Sequence, residues 1–132
     1  MTDVVFETLL AALMADPTVG GRVGPSIYKG HISIVPQPAY PCLTLSRARP
    51  GTSDPHAPAS AWDLWLGCYS LVAYDESWEL YEAAKIVLQA THGNVQGRRW
   101  IIRSRFEPIE AHEAAERPIY WNTSIFEVRQ IG

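Results

Sequence analysis

Cysteine is scarce: the chain has only Cys42 and Cys68, too few for the framework that staples small secreted domains. Inside strand-like runs, each reads as a buried free thiol behaving as a small hydrophobe. Long hydrophobic runs are missing as well. The longest apolar stretch, residues 4–15, is interrupted by Glu7 and Thr8 and falls short of the ~18 residues of a membrane span. The opening MTDVVFETLL has no basic n-region and carries Asp3 and Glu7, so it reads as an amphipathic helix instead of a secretion signal. A soluble chain is the expectation. Positive charge is also in short supply: 11 Lys and Arg against 14 Asp and Glu give a formal charge of −3. A dedicated nucleic-acid binder needs the opposite balance to displace counterions from phosphates.

What remains is ordinary globular material. The 132 residues, 47% hydrophobic and 19% charged, suit a single domain spanning 1–132. Such a chain buries roughly two-thirds of its unfolded surface, enough to fold without metal or disulfide. Five Trp and six Tyr fit the core first and subunit contacts second, since aromatics combine large area with a polar tip. The charges are segregated. Bases gather at Arg47, Arg49, Arg98, Arg99, Arg103 and Arg105. Acids gather at Asp75, Glu76, Glu79 and Glu82, and again at Glu107, Glu110, Glu113 and Glu116. Solvated surface explains such clusters; patches that steer one subunit onto the next explain them more sharply.

Val5, Phe6, Leu9, Leu10 and Leu13 recur on one helical face, with Thr2 placed to cap the start and Asp16-Pro17 to end it. Residues 17–41 hold five prolines and four glycines around Ile27-Tyr28 and 32–35, predicting a long ordered connection with a short extended piece. Residues 42–49 read as a strand. The stretch 50–60, PGTSDPHAPAS, is loop or hairpin tip. Residues 62–74 then return as a strand apolar on both parities, Trp62, Leu64, Leu66 and Val72 against Trp65, Tyr69 and Leu71, and so in need of cover on both faces. Asp75 is the predicted N-cap of a second helix with Leu80, Ala84, Val87 and Leu88 inward, Trp78 and Tyr81 flanking, and Gly93 as its left-handed C-cap. Residues 99–106 and 119–131 are strands separated by the acidic 107–117. The order α-β-β-α-β-β predicts an α+β domain, a largely antiparallel four- to five-stranded sheet with two helices on one face.

No constellation for chemistry emerges. The histidines are His31, His56, His92 and His112. Asp54-Pro55-His56 and Glu110-Ala111-His112-Glu113 match no motif, and His112 with Glu116 offers two metal ligands where zinc wants three or four. Gly20-Gly21 and Gly24 precede Pro25 rather than opening a helix, so no phosphate loop is expected. Ser46, Ser70 and Cys68 lack a nucleophile elbow. The residues therefore predict no catalysis, no cofactor and no metal. An alternative from another class is a small-ligand or peptide module with Trp62, Trp65, Trp100 and Trp121 lining a groove.

The stretches LLAALMADPTVGGRVGPSIY, YPCLTLSR and WDLWLGCYSLVAYDESWELYEAAKIVL, in this order of elements, resemble the tail-completion family of long-tailed, siphovirus-like bacteriophages. Ala15, Asp16, Pro17, Val23, Gly24, Ile27, Tyr28, Pro41 and Leu43 occupy the matching positions, within roughly the first 90 residues. The tryptophan-rich middle strand and the long 50–60 loop depart from the family pattern. The resemblance implies a structural virion protein at the tail/neck junction, assembled in the host cytoplasm. Its copies would form a tail terminator ring, usually hexameric, that caps the tube and meets the head-tail connector, with genome DNA passing through without sequence recognition. A neck or connector subunit is the neighbouring alternative. Interface candidates are Arg47, Arg49, Arg98, Arg99, Arg103, Arg105, Glu107, Glu110 and Glu113 by charge, and Thr52, Asp54 and His56 in the loop, expected to touch the tail tube protein.

Overall fold

The computed structural model describes residues 2–30, 32–47, 61–91, 93–95, 98–113 and 119–131, with the backbone alone at 2–3, 33, 61, 94–95, 98–101, 103–113 and 130–131. It is an α+β domain: helices α1 (Thr2–Ala15), α2 (Pro17–Val23) and α3 (Tyr74–Ala90) lie on one face of a mixed sheet. The strands are β1 (Ile27–Lys29), β2 (Cys42–Arg47), β3 (Ala61–Ser70), β4 (Gly93–Val95), β5 (Arg98–Glu113) and β6 (Ile119–Ile131). Their order is β1-β2-β3-β6-β5-β4, and among the described residues β1 pairs with β2 in parallel while the other pairings are antiparallel. Four strands carry the sheet, and three-residue strands flank them on either side, making it wider than the expected four or five.

Strand alternation decides the core. Leu43, Leu45, Trp62, Leu64, Leu66, Ile102, Phe126 and Val128 point to the helices, where they meet Val5, Leu9, Leu10 and Leu13 of α1 and Leu80, Tyr81, Ala84 and Leu88 of α3. The helical period of the first segment thus identifies its buried face. In α3, Val87 only packs against the core's margin while Tyr81 is fully buried. Val72, grouped with the inward set by parity, lies past the end of β3 and is 73% exposed.

Asp16 does end α1, and it also starts α2. Its carboxylate accepts from the Val19 N–H at 2.9 Å, with Pro17 in the first turn, where a missing N–H costs nothing. The sequence expectation passes over this helix because PTVGGRV holds two glycines and buries only Val19 and Val23. The 17–41 connection also contains β1, its anticipated extended piece, and a 3₁₀ turn at Ile32–Ile34.

The start of α3 differs from expectation. Ala73, with no side chain to offer, is the N-cap, and Asp75 sits inside the first turn. The capping passes to Ser70, whose Oγ accepts from the N–H groups of Val72 (2.9 Å) and Ala73 (3.3 Å) and donates to Glu76 Oε1 (2.7 Å). Ser70 is fully buried. Ser70→Ala strands these partners, so a loss of ~1–3 kcal/mol is expected, read by urea unfolding together with faster amide exchange at Val72 and Ala73. At the other end, Thr91 closes α3 with its N–H and hydroxyl on Val87 and Leu88 carbonyls. Gly93 opens β4 instead of capping the helix.

The acidic segment 107–117 does not simply separate two strands. β5 continues through it to Glu113, shifting register between Ser104 and Phe106 and again between Phe106 and Ile109. Such bulges let a strand accommodate a residue like Pro108, which has no N–H for the ladder.

Candidate subunit interface

Among the described residues, helices cover one face of the sheet and none lies on the other. On the latter, Trp65 is 41% exposed, and half-buried Trp121, Thr123 and Ile125 stand on the neighbouring strand. Tyr69 lies opposite Trp121, their rings stacked with centroids 6.4 Å apart. The tyrosine bonds the Thr44 side chain, and its phenol is held above its ordinary 10.0 chiefly by burial. The double apolar parity of residues 62–74 foreshadows this second face, since β3 presents large side chains both ways.

At the end of the same face, Asp63 and Glu127 stand opposite each other, only 1% and 2% exposed. Arg129 reaches Glu127 at 3.0 Å, and Arg103 stands opposite Glu127 in the β5–β6 register. Burying two carboxylates side by side demands a positive neighbour such as Arg129. Arg103 therefore has a position within the sheet that its place in the sequence does not reveal.

The remaining charge candidates fall in several places. Arg47 is exposed at the end of β2, its guanidinium carbon 5.4 Å from the centroid of the Trp62 ring, within cation–π range. Arg98 and Arg99 face Val95 and Asn94 of β4. Arg105 falls at the first register shift and Glu107 at the second, while Glu110 and Glu113 stand opposite Asn122 and Ile119. Arg49, Thr52, Asp54 and His56, with the whole 50–60 loop, lie outside the described residues, as do His31, His92 and Glu116. The basic and acidic halves thus lie on one strand, β5.

Two further surfaces escaped the sequence reading. Helix α1 is apolar outside as well as inside: Val4 and Met14 are 55% and 52% exposed, and Thr8 turns its hydroxyl back onto the Val4 carbonyl at 2.8 Å. A helix apolar all round is ordinarily a buried one, and the signal was present in the run VVFETLLAALMA. The second surface is a groove of about 510 Å³ between α2 and α3, walled by Arg22, Trp78, Glu79, Glu82 and Ile86. Arg22 spans it to Glu79 at 2.8 Å.

Among the described residues no group of three His, Cys, Asp or Glu side chains is placed to hold a metal ion. Cys42 and Cys68 are free and buried and face opposite sides of the sheet by alternation. Burial pushes the Cys42 thiol from 9.0 up to about 12, and burial, then the neighbouring Cys42, raises Cys68 well above its ordinary value. Buried protonated thiols are inert. A thiol reagent at pH 8 is therefore expected to label neither until the protein unfolds. The same shift carries a sign for stability. An unfolded cysteine ionises near ~8.5, so the contribution is fully present below that pH and is lost as pH rises toward the folded value of about 12. Urea midpoints that fall between pH 9 and 12 in wild type, and less steeply in Cys42→Ala, would register it.

No family model matches the sequence, and no curated protein matches it. Among solved structures, the fold is similar to that of a chain in the virion of a native gene transfer agent particle. The likeness has a TM-score of 0.62 and covers 94% of this chain and 92% of that one at 15% identity. At that identity it is a likeness of fold.

Proposed function

We propose that this chain is a structural virion protein, a tail terminator subunit whose copies form a ring, six-fold by the family resemblance, that caps the tail tube and meets the head-tail connector. The observation that carries the reading is the fold match across nearly the whole length of both chains to a component of a gene transfer agent virion. The resemblance of residues in the first two-thirds of the sequence points to the same class of particle. The exposed aromatic sheet face and the outer apolar side of α1 support it further, because a chain built to assemble leaves such area for neighbours. In this reading the 50–60 loop, with Thr52, Asp54 and His56, touches the tube, and the charged residues of β5 act between subunits. The working parts are surfaces, with no cofactor and no catalytic group.

Native mass spectrometry and sedimentation velocity test the ring: a closed multiple of the 14.7 kDa chain is expected, and electron microscopy should place it on the ends of cognate tail tubes. A chain that stays monomeric at high concentration and in the presence of tube ends would overturn the proposal. Rings that bind the connector and ignore tube ends would replace the terminator with a neck subunit.

A further inference from the structure

The interface between helices and sheet is not apolar throughout. Successive residues of a strand alternate between faces, and on β6 the set that points to the helices includes Phe126 and Val128 of the core. Asn122 and Ser124 continue the same line and are equally buried, but they are polar. Across the ladder they stand beside Cys68 and Leu66 of β3. Helix α3 passes over this stretch. Tyr74 meets the Tyr120 ring edge-on with centroids 5.0 Å apart, and Tyr81 lies against Phe126 two turns further on. Asn122 and Ser124 therefore lie beneath the first two turns of α3, where Ser77 is fully buried as well.

Neither side chain finds a protein partner there. Asn122 Oδ1 and Nδ2 and Ser124 Oγ make no hydrogen bond among the described residues. The nearby serine hydroxyls donate elsewhere, Ser77 to the Tyr74 carbonyl and Ser70 to Glu76, each at 2.7 Å. An amide and a hydroxyl taken out of water without replacement bonds are costly to bury. Residues two apart on one strand face sit roughly 6.6 Å apart at ~3.3 Å per residue, about twice the reach of a direct hydrogen bond. Two bonds through one intervening water span nearly that distance. Strand β5 makes the room. Ser124 has no register partner on it, because the shift from Phe106 opposite Ile125 to Ile109 opposite Thr123 falls at that point, and the extra residue of a bulge bends its strand out of line. The groups to be satisfied are neutral and include both donors and acceptors, so the occupant must be small, neutral and able to do both. We propose that a water molecule is bound beneath the first two turns of α3, bridging the Asn122 amide and the Ser124 hydroxyl. The site lies within one protomer and stands or falls apart from the ring.

The test compares the full-length wild type with Asn122→Leu, which keeps the volume and removes the amide, and with Asn122→Leu combined with Ser124→Ala. A high-resolution crystal structure of the wild type should show a water within hydrogen-bonding distance of both side chains. In solution, magnetic relaxation dispersion of water deuterons should carry the contribution of a long-lived internal water in the wild type and lose it in the double variant. The urea midpoint of Asn122→Leu should fall, because Ser124 is left without its bridge. Were the site dry, the same substitution would raise the midpoint by removing an unsatisfied amide from the interior. Circular dichroism establishes that each variant folds; should the double variant fail to fold, Ser124→Ala alone, which removes one of the water's partners and should diminish the dispersion, takes its place. Wild-type density with no water between Asn122 and Ser124, a dispersion unchanged in the folded variant, or a higher midpoint for Asn122→Leu would each overturn the proposal.

Discussion

Phe126→Ala is expected to cost about 3–5 kcal/mol, the range for removing a buried aromatic ring. Phe126 is fully buried on β6, with Leu64 of β3 opposite on one side and Ser104 of β5 on the other. Its ring lies against that of Tyr81 in α3, centroids 6.5 Å apart. The side chain therefore joins the two central strands to the helix layer, and the surrounding strands are fixed by their ladders and cannot collapse into the void. Against a total stability of roughly 5–15 kcal/mol, that is enough to populate the unfolded chain or to abolish assembly through folding. Leu9→Ala, between α1 and the same core, should cost about 2–5 kcal/mol by the same mechanism. Urea unfolding at constant m-value measures both. A Phe126→Ala midpoint within error of wild type would mean that helix and sheet do not meet where the structure places them.

Gly67→Ala is the second large effect, and it acts on the other face. A Cβ at Gly67 would come within 2.5 Å of Thr44 Oγ1 and within 2.7 and 2.9 Å of Tyr69 Cε2 and its hydroxyl. Tyr69 thus lays its ring across the glycine to reach Thr44, covering bare backbone in the middle of the sheet. The added methyl must push the ring away, breaking the bond to Thr44 and disturbing the stack on Trp121, at a cost of ~1–3 kcal/mol. Two residues that occupy one space should not add. In a Tyr69→Ala background the same Gly67→Ala change is expected to cost less than it does in wild type, because only the contact with Thr44 Oγ1 remains and that hydroxyl is free to rotate once its bond to the tyrosine is gone. Additive costs in the double variant, measured by urea unfolding, would show that the glycine is there for some other reason.

The periodicity of the sequence carried much of the architecture. Leu9, Leu10 and Leu13 at helical spacing and Trp62, Leu64 and Leu66 at strand spacing all point into one core, because a buried face must repeat with the geometry of its element. Boundaries were less legible. The helix expected to begin after Asp75 begins at Tyr74, and the strand expected to stop at 106 runs to Glu113. In each case the deciding partner is remote from the element's own composition: a serine hydroxyl at the end of the preceding strand, and a facing strand that holds β5 through two register shifts.

The candidate interface divides in the same way. Composition and pattern by themselves determined an α+β domain with two free thiols, segregated charge and more apolar surface than one layer of helices can cover, since these depend only on which residues are present and how they alternate. Tertiary structure alone decided that β6 lies between β3 and β5, that Arg103 takes the register position opposite Glu127 while Arg105 falls at a register shift, and that α2 and α3 meet to form an acid-rimmed groove. Those facts depend on pairings between residues far apart in the chain, where closing the intervening loop costs entropy that only the completed core repays, and no local pattern records which pairing wins.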